Sequence, residues 1–183
     1  MLDDYGFELY ENNEFPLAYL ITFRTFGTWL HGDERGSIRR NRKSDRGSKQ
    51  IDINIPLKEK MGAGMLSPPV LLDPLQRKVV DSAIREVCEV REHSLHAVNV
   101  RSNHAHSVIS AQCSPERLAD SLKAYSTRRL RENGLIAPDG RVWARGRSRR
   151  YLWKPHHVEA AVEYVLYGQG DVQFELDDRD IIG

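Results

Sequence analysis

Hydrophobic and polar positions divide the chain into a short series of elements. From Leu17 to Trp29, LAYLITFRTFGTW is dense in β-branched and aromatic residues, the make-up of a strand. From His31 to Pro69 the pattern dissolves into Gly, Ser, Pro and charge, which predicts a long irregular insertion. Asp73-Pro74-Leu75-Gln76 then has the order of a helix start, with an Asp cap, Pro in the first turn and Gln three residues after the cap. Leu75, Val79, Ala83, Ile84, Val87 and Cys88 recur at helical spacing behind it.

Leu95–Val100 and His104–Ala111 read as two strands joined by the polar turn Arg101-Ser102-Asn103. Ser114-Pro115-Glu116 opens a second helix, with Leu118, Leu122, Tyr125 and Leu130 on one side and a stop at Asn133-Gly134. Arg147–Lys154 alternates enough for a fourth strand, and Pro155 precedes a last helix over 157–168 with Val158, Ala161, Val162 and Val165 as its stripe. The order β-(long loop)-α-β-β-α-β-α predicts an α+β, ferredoxin-like sandwich: a small, mostly antiparallel sheet with helices on one face. The expected organisation is one domain over residues 1–183 with a basic irregular insertion at about 31–69.

Composition changes this picture little. The 40% hydrophobic and 29% charged residues are ordinary for a globular protein. No apolar run approaches the roughly 20 residues that span a bilayer, and the acidic start MLDDYGFELYENNEF lacks the order of a signal peptide. A cytoplasmic protein is therefore expected, with Cys88 and Cys113 as reduced thiols.

Charge distribution changes it more. The formal net charge of +1 hides an acidic start, a basic block from Arg35 to Lys49, and a second basic block over 123–154. The second block is rich in Arg and interleaved with Trp143, Tyr151 and Trp153. Solvated faces are often basic, but two such blocks favour a phosphate-backbone partner. Single strands are held by cationic grooves with aromatic rings that stack on bases. On that ground Arg128, Arg129, Trp143, Arg145, Arg147, Arg149, Arg150 and Trp153 are the candidate nucleic-acid contacts, with the Arg39–Lys49 arm as a candidate clamp.

His104-Ala105-His106 lies inside the second hairpin strand. Residues two apart in a strand share a face, about 6–7 Å apart at the backbone. Two imidazoles so placed can converge on one divalent ion, or can be two polar residues on a half-exposed strand. Two ligands do not choose between metals. Among the tyrosines, Tyr125 sits on an apolar stripe and reads as core. Tyr164 lies on the flank of its stripe with small neighbours Ala160 and Gly168 one turn away, and Tyr167 points to solvent.

His104-Ala105-His106, the stretch VWARGRSRRYLWKPHH, the helix VEAAVEYVLYGQG and the opening AYLITFRTFGTWLHGD together resemble the HUH single-tyrosine transposases, which include the REP-associated and insertion-sequence-200-like enzymes. The likeness runs from about Leu17 to Gln169. It implies that Ala105 is the small residue between two metal-binding histidines, that His104 and His106 hold Mg2+ or Mn2+, and that Tyr164 attacks DNA. It further implies single-stranded or hairpin DNA as partner, and a 5′-phosphotyrosine link that a 3′-hydroxyl can reverse. A homodimer is a further candidate assembly. Such relatives carry an amide side chain four residues after the tyrosine as a third metal ligand. Here that position is Gly168, so Gln169 becomes the candidate, provided that Gly168 ends the helix in a left-handed turn. The departure favours an alternative, a domesticated nucleic-acid-binding protein without strand cleavage. A hydrolase of the H-x-H-x-H type would need a histidine where Val108 stands.

Overall fold

A computed structural model describes residues 14–28, 37–39, 49–51, 54–63 and 68–168. Their elements follow in the order β1 (Ala18–Thr25), β2 (Ser37–Arg39), β3 (Lys49–Ile51), α1 (Ile55–Ala63), α2 (Pro74–Val90), β4 (Ser94–Val100), β5 (His104–Ser110), α3 (Pro115–Glu132), β6 (Trp143–Leu152) and α4 (Pro155–Tyr167). The main sheet is antiparallel throughout, in the order β4-β5-β1-β6. With α2 and α3 as the connections, this is the split β-α-β arrangement of a ferredoxin-like sandwich, as the element order predicts.

Helix α2 starts where the sequence places it. The Asp73 carboxylate accepts from the Gln76 amide at 2.8 Å, while the Gln76 side chain accepts from the Asp73 N–H at 2.9 Å. This reciprocal cap satisfies donors that a helix start leaves open. The buried stripe is Val80, Ala83, Ile84, Val87 and Cys88. Leu75, expected on that stripe, is exposed, because five residues of helix turn it about 140° away from Val80. Helix α3 stops at Asn133, after which Gly134 takes φ 66° and the Leu135 N–H returns to the Leu130 carbonyl. That left-handed residue suits glycine.

Strand β1 shows how the sheet separates its faces. Tyr19, Ile21 and Phe23 point to α2 and α3 and join the larger apolar cluster with Ile84, Val98, Ile109, Leu118 and Leu122. Ala18 and Leu20 point the other way, to a smaller cluster with Ala97, Val108, Leu152, Ala161 and Val165. The expectation of helices on one face therefore holds for α2 and α3, whereas α4 packs on the opposite face. Its stripe of small and β-branched residues matches the shallow surface made by Ala18, Ala97 and Val108.

Two further boundaries differ from expectation. Strand β6 begins at Trp143 rather than Arg147, because residues 143–146 continue the pairing through an irregularity opposite Phe23–Thr25. Lys123 Nζ donates to the carbonyls of Ala144 and Gly146, both at 2.9 Å, and so fixes this bulged stretch. Within the expected irregular insertion, β2 and β3 pair as a two-stranded sheet and α1 is helical. The remaining residues of the Arg39–Lys49 arm lie outside those described. None of the described helices is long and apolar enough to cross a membrane.

Candidate functional site

The site follows from strand parity. In β5, Ala105 is fully buried and points into the larger core, so His104 and His106 project together from the other face. Their ring centroids are 4.6 Å apart with planes at 78°. Across the sheet, Asn99 of β4 and Thr22 of β1 stand level with His106, and Arg24 stands level with His104.

Hydrogen bonds orient both rings. His104 Nδ1 lies 2.6 Å from the Asn103 side-chain oxygen, which can only accept; Nδ1 therefore carries the proton and the lone pair sits on Nε2. Thr22 Oγ1 lies 2.7 Å from His106 Nδ1. Outer hydrogen bonds of this kind fix the tautomer and ring orientation of metal-ligating histidines. His106 is only 7% exposed, so its ring is held in place by packing as well.

Helix α4 brings the tyrosine to this pair. The Tyr164 ring centroid is 5.6 Å from that of His106, with planes at 77°. Tyr164 is nevertheless 45% exposed. Asn99 Nδ2 donates to the Val165 carbonyl at 2.9 Å, tying the helix to the sheet one residue beyond Tyr164. Tyr167 is exposed and Tyr125 packs against the larger core, as their helical positions predict. Tyr164 is thus brought to His104 and His106 from 58 or more residues away along the chain.

The third ligand is not among them. Gly168 has φ −87° and ψ 12°, so the expected left-handed reversal does not occur there, and Gln169 lies outside the described residues. A Cβ at Gly168 would stand 3.0 Å from Tyr164 Cδ2 and 2.9 Å from its carbonyl oxygen. A larger side chain at this position conflicts with the tyrosine ring as it lies. Among the described residues, no group of three His, Cys, Asp or Glu side chains is placed to hold a metal ion. The donor set nevertheless fits a divalent cation that completes its shell with phosphate and water: two imidazoles on one face, one with its lone pair assigned to Nε2.

The cationic candidates divide between the faces. In β6, Arg150 is exposed and stands level with Leu20, on the side of the histidines, as does Ser148 with Thr22. Arg147 and Arg149 stand level with Phe23 and Ile21, on the α3 side, where they pair with Asp120 and, at 2.8 Å, with Glu116. Arg145 is exposed in the bulged stretch. Arg128 lies over the Tyr125 ring at 4.5 Å and lines an open groove of about 500 Å3 with Lys123, Thr127 and Arg131.

One candidate, Trp143, is corrected, and a second, Arg129, has partners within the fold. Arg129 is an interhelical strut, bonded to Glu86 of α2 and to Glu132 at 2.7 Å. Hydrogen bonds from Arg129 hold the Glu86 carboxyl below the usual carboxylate range. Trp143 is 8% exposed, packs edge-on against Phe23 at 4.8 Å and donates to the Lys123 carbonyl at 3.2 Å, so it is a core residue with no ring face to offer a base. Trp153 is half-buried and parallel to Tyr151. Sequence reasoning missed Thr22, Arg24, Asn99 and Asn103. Thr22 and Arg24 were visible only as polar breaks in LITFRT, and their roles depend on register.

Two histidines and an exposed tyrosine thus share one face of a ferredoxin-like sheet, beside a cationic strand. The chain belongs to the IS200-like transposase family: the family described as "Transposase IS200 like" matches residues 69–164, just over half of the chain. It is therefore a member of a family of DNA-processing enzymes. Among solved structures, a candidate transposase from Deinococcus radiodurans is similar at 14% identity and a TM-score of 0.47, over 91% of this chain and 100% of that one. A REP-associated tyrosine transposase bound to a REP hairpin is similar at 13% identity and a TM-score of 0.46, over 88% of this chain and 72% of that one. No curated protein matches significantly.

Proposed function

We propose that the chain nicks and rejoins single-stranded DNA, with Tyr164 as nucleophile and His104 and His106 as ligands of a Mg2+ or Mn2+ ion. The observation that carries the reading is the Tyr164 ring lying 5.6 Å from His106 while remaining open to solvent. A bound divalent ion would supply charge neutralisation at the scissile phosphate. Thr22 and Asn103 orient the two imidazoles toward it, and Asn99 holds the helix that carries the nucleophile. The Tyr164 oxygen loses its proton and attacks phosphorus, the bond to the 3′-oxygen breaks, and that oxygen takes up a proton. The products are a 5′-phosphotyrosine and a 3′-hydroxyl, and attack by another 3′-hydroxyl reverses the step. Arg150, exposed on the same face, would hold a strand by its phosphates. The cytoplasm and hairpin-containing DNA are the setting and substrate this reading carries with it.

The test is to incubate the chain with hairpin-tailed single-stranded DNA and Mn2+ and look for a covalent adduct on a denaturing gel. Wild type should give the adduct, and Tyr164→Phe should abolish it. A second reading, a domesticated binder that no longer cleaves, is favoured by Gly168, which supplies no amide. DNA binding with no adduct under any divalent metal would select it.

A further inference from the structure

Tyr151 and Trp153 form a feature that strand cleavage does not use. They stand two residues apart at the end of β6, with ring planes parallel to within 10° and centroids 6.3 Å apart. The Tyr151 ring is braced edge-on by the buried Tyr19 at 5.4 Å, yet Tyr151 is 42% exposed. An aromatic ring held rigidly at the surface has already lost its side-chain freedom, so a ligand that stacks on it meets little further ordering cost. Among the described residues strand β6 is an edge of the sheet, and the pair stands at that edge. Exposed Arg150 lies beside it, and Lys154 follows.

We propose that Tyr151 and Trp153 form a stacking platform for an unpaired base of the DNA strand, a role that rests on the nucleic-acid reading above. Parallel rings present one common stacking direction. Their spacing is close to two stacking intervals of about 3.4 Å, the rise per base in a strand. Every base has a flat face, so such a platform holds a strand without reading its sequence. Tyr151 stands level with Tyr19, on the α3 side, whereas Tyr164 lies on the other side of the sheet. Along β6 it lies three residues, about 10 Å, beyond Ser148, which stands level with Thr22 beside the histidines. The strand therefore crosses the open edge of β6 between platform and nucleophile. The cations follow that path, with Arg150 on one face and Arg149 on the other.

The experiment measures, by fluorescence anisotropy, the affinity of the full chain for a labelled hairpin with a single-stranded tail. A series of the same oligonucleotide carries one abasic residue at each tail position in turn. In wild type one abasic position should weaken binding roughly ten-fold, the scale of one lost base–aromatic stack. Trp153→Leu should bind the intact oligonucleotide about as weakly and no longer sense that position, whereas Trp153→Phe should restore the sensitivity. If Trp153→Leu does not fold, Trp153→Phe, Tyr151→Leu and the wild-type abasic profile decide. Wild-type binding with no sensitive position, or a Trp153→Leu profile identical to wild type, overturns the platform and leaves the His104–His106–Tyr164 site standing. Failure of wild type to bind any of these oligonucleotides overturns both.

Discussion

The two faces of the main sheet are made by the same four strands and differ in what covers them. On the α2 and α3 side, Tyr19, Ile21, Phe23, Val98 and Ile109 meet Ile84, Leu118 and Leu122 in a continuous apolar layer. On the other side α4 covers only one end, over Ala18, Ala97, Val108 and Leu152. The rest of that face carries Thr22, His104 and His106. Core and candidate site thus take alternate positions of one strand set. A one-residue slip of β5 would exchange them, sending the imidazoles into the core. The buried side that makes this slip costly is what keeps the site in register.

The contrast can be broken from either side. Truncating the covered face should have the largest effect: Leu122→Ala removes a fully buried side chain between α3 and the sheet and should cost about 2–5 kcal/mol in urea unfolding. Removing polar groups from the open face should leave the fold nearly unchanged and act on metal and DNA instead. Thr22→Val deletes the hydroxyl that meets His106 Nδ1 and should weaken Mn2+ binding roughly 10- to 100-fold by calorimetry. An unchanged affinity would mean that Thr22 plays no part in holding the ring.

The β6 arginines sharpen the comparison further. Arg150→Ala should lower the salt dependence of DNA binding by about one unit of slope. Arg149→Ala should lower it less, since Glu116 already offsets that charge. Equal losses would show that the two faces engage DNA alike. The smallest effect concerns pH. Ser110 Oγ donates to the Leu17 carbonyl and lies 2.7 Å from His96 Nε2, so the nitrogen donates to it. Burial holds the His96 imidazole below its ordinary value near 6.5. Its folded form therefore binds fewer protons than the unfolded chain. The corresponding stability is present above about pH 6.5 and is lost as pH falls through the folded value. His96→Gln should flatten that limb in urea unfolding midpoints measured from pH 7 down to pH 5.

How far this was legible in the sequence follows the same division. Elements whose signals are local came through: the Asp73–Gln76 cap, the Asn133-Gly134 stop and the hairpin around Ser102 each depend on neighbours in the chain. Of the candidate site, the chain-local parts are legible: the His104–His106 spacing and the flank position of Tyr164, which the fold brings near each other. Thr22 and Asn99 are not, because each matters only through the strand it stands beside. Trp143 was misread for the complementary reason. A Trp in a basic stretch looks like a DNA contact until Phe23 is brought against it, and the Arg129–Glu86 pair is likewise formed only by the fold. The placement of α4 was hidden as well, since a short apolar stripe does not say which face of a sheet it will cover.

The central claim is that the open face carries the strand-cleaving nucleophile. The most direct measurement is to trap the chain with hairpin-tailed DNA and Mn2+, digest both polymers, and locate the nucleotide-bearing peptide by mass spectrometry. The account predicts a phosphate-linked nucleotide on Tyr164, assigned by fragment ions within the tryptic peptide from Tyr151 to Arg179, since the Lys154–Pro155 bond resists trypsin. A link at Tyr125, Tyr151 or Tyr167, or a Tyr164→Phe chain that still forms the adduct, would contradict it.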